Sequence, residues 1–268
     1  MSTSRSQPLV LFLLRSYNDL DHIAPIVWKA ANCGLNTAYL FVGELFHSDY
    51  RIKYIQAAGS REVSSREIRF YFEKIRPKIR WIIVAKIADR LIGNIFGTIF
   101  LKQYHFNCIV TEWGGPDGKG LAPYLLRPAR NSKIPILAVP HGYHTWLNND
   151  FNEVTTSSIK TTGKLPQFHN RNLFSAYVVQ SQNIKRYCIE SGIDEDRLHT
   201  LGSARFSKEW CDINYKLCVP KENLAKQCAD TVVLFFLNHW TYNVNRSNCI
   251  SLLERIAKGK QSSPFNEA

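Results

Sequence analysis

Residues 135–142 read Pro-Ile-Leu-Ala-Val-Pro-His-Gly. Ile136–Val139 is a short apolar run, the pattern of a strand buried on both faces in a parallel sheet. Pro140 ends it, and Gly142, which has no Cβ, lets the backbone turn sharply at once. In open α/β sheets the loops that bind ligands leave the carboxyl ends of strands, so His141 is expected at the mouth of a cleft. There an imidazole can take a proton near neutral pH. The plainer reading, a turn histidine without a role, stays open on these residues alone.

The same pattern recurs along the chain. Compact apolar runs predict strands at 9–14 (LVLFLL), 37–42 (TAYLFV), 107–111 (NCIVT), 176–180 (AYVVQ), 198–201 (LHTL) and 231–237 (TVVLFFL). Helices are expected between them. They span 20–33, ending at Gly34, then 50–58, 65–76, 79–104, 119–130, and from Ser181 or Asn183 to 190, with one more at 244–258. Residues 143–172 are polar and without periodicity, and read as a long loop. Residues 207–229 read as a connector and 259–268 as a disordered tail. Short strands alternating with helices predict an α/β fold, a Rossmann-like parallel sheet flanked by helices. The strand at 231–237 either joins that sheet or opens a second α/β domain, since one strand and one helix cannot bury their own faces.

The 268 residues are 45% apolar and 21% charged, an ordinary globular balance with material for a full core. The formal net charge of +12 favours anionic partners: phosphates, nucleotides, acidic polymers or an anionic membrane. Half of that excess lies between Arg61 and Lys102, where ten basic residues face four acidic ones. Residues 81–101 are the most apolar stretch, but Lys86, Asp89 and Arg90 break it at its centre. It reads as a buried or interfacial helix, and the region 61–102 as a candidate peripheral membrane contact or a solvated charged face. The seven cysteines are scattered, with no C-x-x-C pair. A disulfide framework or zinc site is not expected, and a reducing, cytoplasmic setting is. No signal peptide is recognised at residues 9–14.

Polar residues fall where the predicted strands end: Asn18 and Asp19, Glu112, His141, Ser203 and Arg205, and Asn238 and His239. In a parallel sheet these ends share one edge, so the residues are expected to converge on one cleft. Plain alternatives stand beside the functional ones. Asp19 can cap a helix, Glu112 can pair with an arginine, and Arg205 can pair with Glu209 instead of a phosphate. Asp19 and Asp21 form a D-x-D that opens a helix, which favours capping over metal. No P-loop, G-x-G-x-x-G, G-x-S-x-G or H-E-x-x-H sequence is present, and no nucleic-acid module or nucleic-acid partner is expected.

Three segments carry a resemblance. VVQSQNIKRYCIESGIDEDRLHTLGSARFSKEW (178–210) resembles the end of the N-terminal domain in GT-B glycosyltransferase-like proteins. PHG (140–142) resembles the histidine-glycine element of their CDP-glycerol glycerophosphotransferase-like, surface-carbohydrate biosynthesis branch. VLFFLNHW (233–240) resembles the opening strand of their second domain.

This resemblance implies an N-terminal acceptor-side domain at 1–210, a connector at 211–229, and the start of a donor-binding domain at 230–268. The chain would stop inside that domain and lack most of the donor site, which puts activity of these residues alone in question. It further implies transfer of a glycosyl or glycerophosphate group from a nucleotide-activated sugar or CDP-glycerol. The acceptor would be an anionic surface polysaccharide or a lipid-linked glycan at the inner face of the membrane, in capsule or cell-envelope biosynthesis. By that likeness His141 is the base, Arg205, Asn238 and His239 line the cleft, and no metal or cofactor is needed. Position at the strand ends adds Glu112 as second catalytic candidate and Asn18, Asp19, Gly142 and Ser203 as substrate-binding candidates. Two other readings remain: a non-catalytic glycan- or membrane-binding domain, and an enzyme like the UDP-N-acetylglucosamine 2-epimerases, which share the architecture.

Overall fold

The computed structural model describes residues 8–218, apart from 44, 65, 76, 77, 80, 114–120 and 141–152. The chain divides into two compact units, residues 1–143 with 168–217, and residues 144–167 with 218–268.

The first unit is built on one seven-stranded sheet. Its strands are β1 (Leu9–Leu14), β2 (Asn36–Phe41), β3 (Arg61–Glu62), β4 (Cys108–Glu112), β5 (Ile136–Val139), β6 (Ala176–Val179) and β7 (Leu198–Thr200). They lie in the order β3-β2-β1-β4-β5-β6-β7, and every neighbouring pair is parallel. The expected Rossmann-like α/β sheet is therefore present. The order reverses between β1 and β4, and open α/β sheets take their ligands in the crevice at the carboxyl ends of such a switch point.

The helices of this unit are α1 (Tyr17–Asn32), α2 (Tyr50–Ala57), the short α3 (Arg66–Phe70), α4 (Ile82–Tyr104) and α5 (Ala122–Asn131). The 5-residue π-helical turn Tyr71–Ile75 follows α3 directly. The next numbered helix, α6 (Glu153–Thr162), belongs to the second unit, and α7 (Gln182–Glu190) returns to the first. The last helix, α8, runs over Lys208–Cys218.

The central strands are buried on both faces. Leu11, Leu14, Ala38, Tyr39, Ile109 and Ala138 are fully shielded from solvent. On one face Phe12, Leu14, Tyr39, Phe41, Val110 and Val139 cluster with Leu20, Ile23, Ala24 and Val27 of α1, Ile52 and Ile55 of α2, and Trp210 of α8.

Four local expectations give way. The polar loop at 143–172 contains α6 and the 3-10 turn His169–Leu173. The sequence EVTTSSIKTT has no apolar stripe at helical spacing, so periodicity is silent there. The connector at 207–229 is helical as far as Cys218. The segment 65–76 is α3 and a π-turn instead of one helix, and two residues at 61–62 make an unforeseen edge strand. The predicted strand 231–237, helix 244–258 and tail lie outside the described residues.

Candidate functional site

The carboxyl edge of β1 and β4 is held by ions. Arg15, just past β1, sets its Nη1 2.9 Å from Oε1 of Glu112, the last residue of β4. Glu112 is buried, while Arg15 keeps about a quarter of its side chain in solvent (27%). The pair bridges the two strands that flank the switch point. Gly43 approaches the Arg15 backbone so closely that a Cβ there would sit 2.2 Å from the Arg15 carbonyl oxygen.

The loop after β1 turns into α1 through a carboxylate cap. Asp19 accepts from the backbone N–H groups of Arg15 (2.8 Å) and Ser16 (3.1 Å) and from Ser16 Oγ (3.0 Å). It sits in the first turn, where a negative charge also offsets the helix dipole. Asp19 is fully buried, so the aspartate shapes the loop from within. Asn18 beside it is exposed.

A second cationic group closes in behind β4. Arg171 is buried in the turn His169–Leu173. Its Nη1 donates to the carbonyl of Trp113, and its guanidinium lies 4.3 Å from the Trp113 ring centroid. Trp113 N–H in turn donates to the Val139 carbonyl (3.2 Å), tying the ends of β4 and β5 together. The phenol of Tyr177 on β6 is almost wholly buried and finds no hydrogen-bond partner among the described residues. Burial pushes it well above its ordinary pKa, Cys188 adds to the push, and Arg171 opposes it.

Ser203 follows β7, at the far side of the sheet, yet its Oγ lies 3.3 Å from Nδ1 of the buried His22 in α1. After β7 the chain returns to α1, and the turn Ala204–Phe206 packs on that helix. Arg205 on this turn is exposed, its guanidinium 5.1 Å from the Phe206 ring centroid. It does not pair with Glu209, which is held by Lys29 at 3.0 Å.

Asn18 and Asp19 thus stand in the first turn of α1 and Ser203 against His22 of the same helix, while Glu112 meets Arg15 at the switch point. His141, Gly142, Asn238 and His239 lie outside the described residues. Arg15, Arg171 and Tyr177 were not singled out in the sequence. Arg15 carried one usable signal, a basic residue immediately after the first buried strand, whereas Arg171 and Tyr177 carried none. Among the described residues no group of three or more His, Cys, Asp or Glu could hold a metal ion. None of the described helices is long and apolar enough to cross a membrane.

No protein-family model matches this chain, and no curated protein does. Among solved structures it is similar to UDP-N-acetylglucosamine 2-epimerase from Rickettsia bellii, at 12% identity and a TM-score of 0.44, over 82% of this chain and 51% of that one. A putative UDP-N-acetylglucosamine 2-epimerase from Listeria monocytogenes is 8% identical with a TM-score of 0.44, over 75% and 46%. A glycosyltransferase from Rickettsia africae is 11% identical with a TM-score of 0.41, over 79% and 49%. The chain spans about half the length of each.

Proposed function

We propose that this chain is the acceptor-side part of a GT-B type enzyme. It would act with a nucleotide-activated donor, a nucleotide sugar or CDP-glycerol, and transfer its group to a surface-polysaccharide or lipid-linked acceptor on the cytoplasmic side of the membrane. The observation that carries the reading is the ion pair of Arg15 with Glu112 at the carboxyl ends of β1 and β4, the point where the strand order reverses. Arg15 keeps part of its guanidinium in solvent at that edge, and a forked cation of this kind suits a phosphate-bearing molecule. In this reading His141, on the loop after β5, deprotonates the acceptor hydroxyl, and Gly142 gives the loop its turn. Glu112 holds Arg15 in place and tunes the charge of the site. Asn18, Ser203 and Arg205 are its substrate-binding candidates in this unit, and Asp19 fixes the loop that carries Asn18.

The competing readings are a non-catalytic glycan- or membrane-binding domain and a nucleotide-sugar 2-epimerase-like enzyme. An epimerase needs acid–base groups at one sugar carbon. The sequence offers Glu112, Asp19 and Asp21 near the strand ends, and Glu112 is engaged by Arg15, Asp19 by its cap and Asp21 by Arg51.

The test is thermal unfolding of the chain against CDP-glycerol and UDP- and CMP-sugars. A ligand at a hundred times its dissociation constant stabilises by about 2.7 kcal/mol. The expected result is a raised midpoint with one nucleotide class, lost in Arg15→Met and kept in Lys160→Ala, an exposed surface change. No shift from a cooperatively unfolding chain overturns the donor reading. A shift unaffected by Arg15→Met moves the site away from the crevice.

A further inference from the structure

The 23-residue helix α4 has two apolar faces. One is used inside the fold: Gly93, Gly97, Phe100 and Leu101 are buried, and the helix packs against α5. The other is open. Val84, Ile87, Leu91, Ile95 and Ile99 are each about half exposed or more (49–59%), and Trp81 at the N-cap is 77% exposed. Their spacing of three or four residues places the five aliphatics in one stripe, ~22 Å long at 1.5 Å per residue. Scattered exposed aliphatics are ordinary, but a continuous stripe of this kind marks an interaction surface.

The charge around the stripe selects its partner. The exposed Arg66, Lys74 and Lys78 precede Trp81, and Lys102 ends the stripe in line with it. Of the four acids in 61–102, three are engaged: Glu62 with His47 (3.3 Å), Glu73 with Arg69 (3.8 Å), and Asp89, which accepts from Tyr71 Oη (3.1 Å). A second copy of the chain seated on this face would bring two basic segments together. A surface of anionic lipid offers apolar depth for the stripe and negative headgroups for its basic surroundings, while interfacial tryptophan favours the same boundary.

We propose that the outer face of α4 docks the protein on an anionic phospholipid surface, with the helix lying in the plane of the interface. The inference stands on the stripe and its charge alone, and does not require the transfer reading.

Flotation of the full chain with phosphatidylcholine vesicles, with and without phosphatidylglycerol, tests it. The wild type is expected to float with the phosphatidylglycerol vesicles and to be released as salt rises. Leu91→Glu/Ile95→Glu is expected to weaken binding by about tenfold or more, and its thermal midpoint should match the wild type because both side chains are exposed. Lys74→Glu/Lys78→Glu should remove the preference for phosphatidylglycerol. The proposal is overturned if the folded wild type floats with neither vesicle, or if the Leu91/Ile95 variant floats as well as the wild type. It is equally overturned if sedimentation velocity shows a dimer that this variant dissociates, since the stripe is then covered by a second copy.

Discussion

Arg51 illustrates how far single residues can be read. In the sequence it is one more basic residue on a predicted helix. In the fold it is 2% exposed, forked onto Asp49 through Nε (2.9 Å) and Nη2 (2.7 Å), paired through Nη1 with Asp21, and stacked 4.3 Å from the Tyr17 ring centroid. Burial alone would raise the Asp49 pKa, but the hydrogen bonds and charge of Arg51 outweigh it and hold the carboxyl below its ordinary value. A carboxylate depressed in the folded state contributes stability above its unfolded pKa, about 4, and loses it as pH falls through the lower folded value. Asp49→Asn is therefore expected to flatten the acid limb of a urea-midpoint against pH curve, with little change in that limb if the pairing is unimportant. At the crevice, Arg15→Met leaves Glu112 buried without its ion pair. Because Arg15 is partly exposed, the expected cost is about 2–3 kcal/mol, below that of a fully buried pair, and Arg15→Met/Glu112→Leu should recover part of it in chemical denaturation. The sequence named Glu112 and offered an arginine as its plain partner. It could not choose Arg15 among the candidates, because that choice depends on β1 and β4 being neighbours across 93 intervening residues.

Among elements, α4 and α5 meet through glycine. A Cβ at Gly93 would lie 2.0 Å from Cδ1 of Tyr124, and one at Gly97 would lie 2.0 Å from the Tyr124 carbonyl oxygen. Gly97→Ala is expected to cost about 1–3 kcal/mol, the range for overpacking, since a backbone carbonyl cannot swing aside. Gly93→Ala meets only a side chain, so Tyr124→Ala should relieve it while leaving Gly97→Ala unrelieved. A double-mutant cycle on thermal midpoints separates the two. The elements most legible in the sequence were the buried strands, whose apolar runs match β1 and β5 to the residue. Those that were not, α6 and α8, lack either an apolar stripe or sharp end signals. The helix α8 is instead held by what it meets: Trp210 lies 6.2 Å from Trp28 between ring centroids, and Lys29 and Tyr50 reach Glu209 and Asn214.

At the scale of the whole molecule, α8 carries residues 208–218 back to the beginning of the chain. Trp210 joins the core cluster of β1, β2 and α1. Trp210→Ala is expected to cost about 3–5 kcal/mol in urea unfolding, as for other buried aromatics, whereas a loss under 1 kcal/mol would mean that α8 is only loosely attached. Packing also sorts the thiols. Burial pushes Cys188 up to about 12, whereas Cys33 and Cys211 are exposed. Site-mapped alkylation of the native protein should modify Cys33 and Cys211 well before Cys188, and equal rates would contradict the buried position.

The amino-acid sequence by itself determined the kind of fold: local apolar runs, proline and glycine stops and alternating helices dictate parallel α/β layers, because burial and backbone hydrogen bonding act residue by residue. It also determined the positive charge and the residue types at the strand ends. Tertiary structure decided which of those ends adjoin. It set Arg15 against Glu112, buried Arg171 over Trp113, and brought Ser203 from the far edge to His22. It also split α4 into a used face and an open one. Those outcomes depend on strand order and on the return of the chain after β7, and contacts between residues far apart in sequence leave no local pattern to read.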